Sequence, residues 1–267
     1  MSTSGEWETD AIDLDAYLAR IARQRRPPSA EALRDLMRAH VRAIPFENVD
    51  VVLEQHQGIS LDVVSAKLVG RRRGGYCYEQ SGLFAAVLER LGYTVRRLSA
   101  RVQPRRPGPY THMTLVVEVD GAQFLADVGF GAGILDPMPL VDGAEVDQAG
   151  WPHRMNHQDG WWTLRKQTRD GWEDLLEFRL DEMHRIDYEV YHHYTSTHPK
   201  SPFTGRLVVM TLEPGVSRKL LGRELTVEKP DGSSETTTVA PDELDATLKD
   251  LGVELTADEL AELRKTY

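Results

Sequence analysis

Cys77 is the only cysteine among 267 residues, and it lies where a sulfur can react. It follows Arg71-Arg72-Arg73-Gly74-Gly75-Tyr76 and opens a helical pattern in which Leu83, Phe84, Val87, Leu88 and Leu91 recur on one face. Gly92 closes that pattern, where a residue with positive φ is usually wanted. A thiol at a helix N-terminus lies in the positive end of the peptide dipole, and three arginines stand just upstream. Both features favour the thiolate, which is the nucleophilic form. The competing reading is a buried, inert thiol, the commoner fate of a lone cysteine.

A nucleophile of this kind needs a base, and a hairpin supplies one. Residues 112–119 alternate, with Met113, Leu115, Val117 and Val119 on one face, and residues 122–128 return after Asp120-Gly121, the strongest short hairpin signal. If Asp120-Gly121 is a two-residue turn, Val119 faces Ala122. Continuing that pairing puts Asp127 opposite Thr114. His112 is two residues from Thr114, so it points to the same face as Asp127, a diagonal cross-strand neighbour about 7–8 Å away at Cα. A slip of one residue would break the relation. Taken singly, His112 reads as a locally satisfied strand histidine and Asp127 as a carboxylate capping the glycines that follow. Taken with Cys77, they read as an activated nucleophile: a base for the thiol proton and a third group that orients the base.

The elements that must position these residues are legible in outline. Hydrophobic residues make up 40% and charged residues 28%, ordinary for a globular protein. The net charge of −10 argues against a nucleic-acid partner, no run is long and apolar enough to span a membrane, and the N-terminus is polar and acidic. One cysteine cannot form an internal disulfide, and the chain therefore reads as cytoplasmic. Arginines nevertheless gather at 71–73, 96–97, 101 and 105–106, which leaves room for a small anionic ligand.

Helices are expected from Asp13, from Ser29, from about Asp62 to the arginines, and from Cys77. Strands follow over 94–102, in the hairpin, and near 161–166, 175–180, 207–212, 224–229 and 235–239. Two helices over 241–251 and 257–265 close the chain. Helices, then antiparallel strands, then a small mixed end make an α+β fold.

These motifs together resemble the arylamine N-acetyltransferases. The resemblance rests on Pro45-Phe46-Glu47-Asn48, Arg73-Gly74-Gly75-Tyr76-Cys77-Tyr78-Glu79, Thr111-His112-Met113-Thr114-Leu115, Leu125-Ala126-Asp127-Val128-Gly129-Phe130-Gly131 and Ser196-Thr197-His198-Pro199-Lys200-Ser201-Pro202-Phe203, in the family's order. It implies an N-terminal helical bundle (1–92), a central antiparallel β-barrel (93–204) and a C-terminal α/β lid (205–267), with a cysteine-protease-like Cys–His–Asp triad. It also implies a ping-pong reaction in which Cys77 takes acetyl from acetyl-CoA and passes it to an arylamine or hydrazine, with His112 as base and Asp127 as its orienter. Acetyl-CoA would be a co-substrate, with no tightly bound cofactor and no metal, in a monomer or homo-oligomer.

By the same resemblance Phe46, Val102, Phe130 and Phe203 contact the acceptor, and Thr111, Gly129 and Gly131 contact CoA. Glu47 and Arg73 would pair to hold the nucleophile's turn. Gln80 stands where the family often has Asn, and the Pro- and Arg-rich stretch 103–109 is particular to this chain, with Arg105 or Arg106 placed to meet CoA phosphates.

Other readings use the same residues. Cysteine proteases and transglutaminase-like enzymes share the triad logic. An amide synthase would take a carrier-bound polyketide thioester and release a macrolactam, and a binding module would keep the fold without a reactive thiol. Gly129-Phe130-Gly131 opens no helix, so it is not a dinucleotide loop. His153, His157, His192 and His193 read as loop or surface histidines.

Overall fold

Asp13 and Ser29 start the first two helices by capping them. Asp13 Oδ1 accepts the Ala16 N–H at 2.9 Å and Ser29 Oγ accepts the Ala32 N–H at 3.1 Å, opening α1 (Leu14–Arg20) and α2 (Ala30–Ala43). The computed structural model describes residues 5–104, 108–131 and 133–267.

Where the sequence gives only the end of α2, Phe46–Glu47 forms a short strand, β1, and Val49–Val52 a single helical turn, α3. The expected third helix is α4 (Leu61–Ser65), and it continues as a π turn over Ala66–Gly70, in which the Arg71 N–H reaches the Ala66 carbonyl. Then comes α5 (Cys77–Arg90), and Gly92 follows it with φ of 94°.

An eight-stranded antiparallel sheet follows. Its strands are β2 (Thr94–Val102), β3 (His112–Val119), β4 (Ala122–Leu125), β5 (Met138–Pro139), β6 (Glu145–Gln148), β7 (Trp151–Gln158), β8 (Trp161–Thr168) and β9 (Gly171–Glu182), in the spatial order β5-β4-β3-β2-β9-β8-β7-β6. The sheet curls into a nearly closed barrel, and a side chain joins its two edges. Gln148 on β6 accepts the N–H groups of Leu135 and Asp136, both at 2.8 Å, just ahead of β5.

Helix α6 (Arg185–Thr197) leads to a second sheet of β10 (Val208–Glu213), β11 (Val216–Leu221), β12 (Glu224–Glu228) and β13 (Ser234–Thr238). This sheet reaches back to β1, because Phe46 pairs with Met210. Helices α7 (Leu244–Asp250) and α8 (Ala257–Thr266) cover it, burying Val209, Leu220, Leu248 and Leu263 in a second, smaller core.

β3 is buried on both faces, which explains its apolar density. Arg97 stands opposite Leu115 and forks onto Glu89 of α5 at 2.6 and 2.8 Å, so that face lies under the helix. His112 and Thr114 look the other way. Among the described residues no helix is long and apolar enough to cross a membrane.

Candidate active site

Cys77 is the first residue of α5, and its turn is held from three directions. Glu79 Oε2 accepts the Tyr76 N–H at 3.0 Å, while its other oxygen meets Lys67 Nζ at 2.8 Å. Burial alone would raise the Glu79 pKa; Lys67, with His56, instead holds it at about 2. Arg73, 1% exposed, donates from Nε and Nη2 to Glu47 Oε1 at 3.0 and 2.8 Å, which is the pairing expected from the sequence. Gln80 completes the frame. Its Nε2 donates to the Gly75 and Pro45 carbonyls at 2.7 and 3.2 Å, and its Oε1 faces His40 Nε2 at 3.1 Å. Burial lowers the His40 pKa to about 3, so His40 is neutral and relays Gln80 to the Tyr17 hydroxyl at 2.7 Å. Tyr17 and His40 carry no motif, and no sequence signal points to them.

The hairpin has the expected register. Asp120 and Gly121 both have positive φ, 54° and 72°, and Val119 faces Ala122. The β4 ladder stops at Leu125, three residues before the predicted Val128, yet Ala126 N–H still reaches the Leu115 carbonyl, so the pairing carries on to Asp127. His112 Nε2 lies 2.6 Å from Asp127 Oδ2, and the Thr114 hydroxyl donates to the same oxygen at 2.9 Å. Asp127 Oδ1 accepts the Gly129 N–H at 3.0 Å. With Nε2 committed to the carboxylate, Nδ1 is the ring nitrogen left for sulfur, and the Cys77 side chain hydrogen-bonds the imidazole. Burial disfavours the imidazolium, but the Asp127 charge and the hydrogen bonds from Asp127 and Cys77 outweigh it and raise the His112 pKa to about 10. The ring is therefore charged at neutral pH. Cys77 Sγ also lies 3.6 Å from the Thr111 carbonyl.

A cavity of about 370 Å³ opens onto this group. Its wall includes Cys77, Thr111, His112 and Gly129, together with all four apolar candidates, Phe46, Val102, Phe130 and Phe203. Phe130 meets the His112 ring edge-on at 5.4 Å, and Phe46 lies 5.8 Å from Phe203. Val102 is the most open of the four, 38% exposed at the end of β2. Asp127 stays behind His112, and Gly131 sits behind the wall, where a side chain would strike Met210 and Phe46. Gly129 is confined as well: a Cβ there would stand 2.9 Å from the Cys77 Cα.

Sequence reasoning missed the far end of the cavity, where Lys166, Thr168, Glu173, Met210, Lys219 and Glu228 contribute. They sit on β8 to β12 and belong to no motif. Arg105 and Arg106 lie outside the described residues. Two histidine readings need correction. His153 is a buried β7 residue bonded to the Trp151 carbonyl at 2.8 Å, and burial lowers its pKa to about 4. His192, on α6, hydrogen-bonds the Tyr76 hydroxyl beside the nucleophile's turn.

Comparison with known proteins identifies the family. The profile of the N-acetyltransferase family matches residues 29–260. The arylamine N-acetyltransferase of Mycolicibacterium smegmatis is 40% identical over 257 residues, covering 92% of this chain and 93% of that protein. The structure of the arylamine N-acetyltransferase from Mycobacterium abscessus superposes with a TM-score of 0.93 at 37% identity, over 100% of this chain and 98% of the other. That of the Mycobacterium marinum arylamine N-acetyltransferase in complex with CoA gives 0.88 at 35% identity, over 95% and 99%. This chain belongs to the arylamine N-acetyltransferase family.

Proposed function

We propose that the protein carries an acetyl group from acetyl-CoA to the nitrogen of an arylamine or hydrazine, through an acetyl-Cys77 intermediate. The observation that carries this reading is a buried imidazole held between a carboxylate and a cysteine at one end of an apolar-walled cavity. The family membership and the CoA-bound neighbour support the choice of donor.

At rest the proton sits on His112, beside the Cys77 sulfur. The sulfur attacks the thioester carbonyl of acetyl-CoA, and the Cys77 and Tyr78 N–H groups at the start of α5 are the candidate donors to the tetrahedral oxyanion. As the intermediate collapses, CoA leaves and takes the proton from His112. The acceptor nitrogen then attacks acetyl-Cys77, and the now neutral His112 takes the nitrogen's proton. Release of the amide frees the Cys77 sulfur and leaves His112 in its charged form. Asp127 fixes the ring orientation and stabilises the imidazolium in both half-reactions. Phe46, Val102, Phe130 and Phe203 contact the acceptor, while Thr111 and Gly129 contact CoA near the sulfur. On this reading residues 1–92 supply the nucleophile, 93–204 its base and orienter, and 205–267 the lid.

Mass spectrometry of the protein mixed with acetyl-CoA and no acceptor tests the intermediate. An adduct of about 42 Da on Cys77, discharged on adding an arylamine, is expected. No adduct, with a carrier-bound acyl chain accepted instead, would identify an amide synthase.

A further inference from the structure

One row of the second sheet runs straight into the cavity. Phe46 pairs with Met210, and Met210 pairs with Lys219, so the three side chains stand side by side on one face, and all three line the cavity that holds Cys77. Two inter-strand spacings separate Phe46 from Lys219, roughly 10 Å at the backbone. The near part of the row is apolar and polarizable, and the far end is a cation.

The cations at that end are not equivalent. Lys166, from β8, is committed: its Nζ lies 3.0 Å from Glu228 Oε1 and 5.1 Å from the centre of the Trp151 ring. Among the described residues no carboxylate forms an ion pair with Lys219. Burial lowers the Lys219 pKa and Lys166 lowers it further, with only partial relief from Glu228 and Glu173. A half-buried ammonium with no ion-pair partner is a poor structural element, because its desolvation is only partly compensated. It is a good receptor for one negative charge, since a charge-assisted hydrogen bond in a sheltered site is a strong one. The two carboxylates nearby disfavour a polyanion and leave room for a single charge.

We propose that Lys219 is a specificity-determining residue that selects acceptors carrying an anionic substituent, a carboxylate foremost, on the aromatic ring. The inference rests on the acetyl-transfer reading. The ring lies along Phe46 and Met210 with its amine toward Cys77 and its carboxylate at Lys219, which makes aminobenzoates the acceptor class.

The test compares kcat/KM for 4-aminobenzoate with that for its neutral amide, 4-aminobenzamide, in wild type, Lys219→Met and Lys219→Arg. The ratio of the two should fall about 10- to 100-fold in Lys219→Met, the span of a lost charge-assisted hydrogen bond, and recover in Lys219→Arg. An unchanged ratio overturns the proposal. So does an unchanged ratio accompanied by a raised acetyl-CoA requirement in the acceptor-free half-reaction, which would assign the ammonium to the donor's phosphates. Calorimetric titration of 4-aminobenzoate into Cys77→Ala and into Cys77→Ala with Lys219→Met needs no turnover. Tenfold or greater weakening in the double variant supports the anion site even if acetyl transfer itself fails, and equal binding to the two overturns it.

Discussion

His112 owes its charge to a neighbour. Its ring is 3% exposed, where an isolated imidazole would be neutral, and the Asp127 carboxylate reverses that preference. Because the folded pKa lies above that of a free imidazole, the stabilisation from this pair is complete below about pH 6.5 and is lost as pH rises through about 10. Asp127→Asn removes the stabilisation, so the gap in Tm between wild type and variant should be widest near pH 6 and should narrow toward pH 10. A gap independent of pH would show that the charge on His112 contributes nothing to the fold. The same variant should lose about 10²- to 10⁴-fold in kcat/KM, the range of a positioned acid–base group. Cys77→Ala should abolish the adduct and turnover while keeping the wild-type circular dichroism spectrum, and residual turnover near wild type would remove Cys77 from the mechanism. Cys77 is legible in the sequence because it is the only cysteine, and the pairing of His112 with Asp127 because the hairpin register is simple arithmetic.

At the scale of elements, α5 and the β3–β4 hairpin must approach closely for sulfur and imidazole to meet. Gly129 sets that approach, since a Cβ would press on Cys77 Cα and Ser81 Oγ at 2.9 and 2.7 Å. Gly129→Ala should cost about 1–3 kcal/mol of stability, as overpacking does, and should slow single-turnover acetylation of Cys77 at least tenfold. Acetylation at the wild-type rate would mean that the two elements can part without harm.

Elements the sequence hid had physical reasons to be hidden. The buried face of β7 is Trp151, His153 and Met155, so its period of two carries little aliphatic signal. Helix α6 is rich in aromatic and β-branched residues and buries only Tyr188 and Thr195. It is secured by tertiary packing and by Asp187, which accepts the His184 N–H at 2.9 Å.

Across the whole molecule, buried charges tie the last helix to the nucleophile's turn. Arg73 reaches Glu47, then Asp50 at 3.2 Å and Glu259 of α8 at 3.2 Å, while Asn48 Nδ2 donates to the Phe203 and Arg206 carbonyls at 2.8 and 2.9 Å. Arg73→Met would leave Glu47, with no exposed surface, without its cation. Urea unfolding should register a loss of roughly 3–5 kcal/mol, the cost of breaking a buried pair from one side. A loss under 1 kcal/mol would mean that water or a shifted side chain replaces the guanidinium.

Local rules in the sequence determined the helix that presents Cys77, the two-residue turn that aligns His112 with Asp127, and the α+β order of the chain. Capping, turn type and strand alternation act within a few residues, so they can be read without the fold. Tertiary structure alone decided that α5 meets the hairpin, that β1 joins a sheet completed more than 160 residues later, and that Lys219 stands in the same row as Phe46. Those contacts depend on how sheets curl and stack, and no short-range pattern records which distant strands will become neighbours.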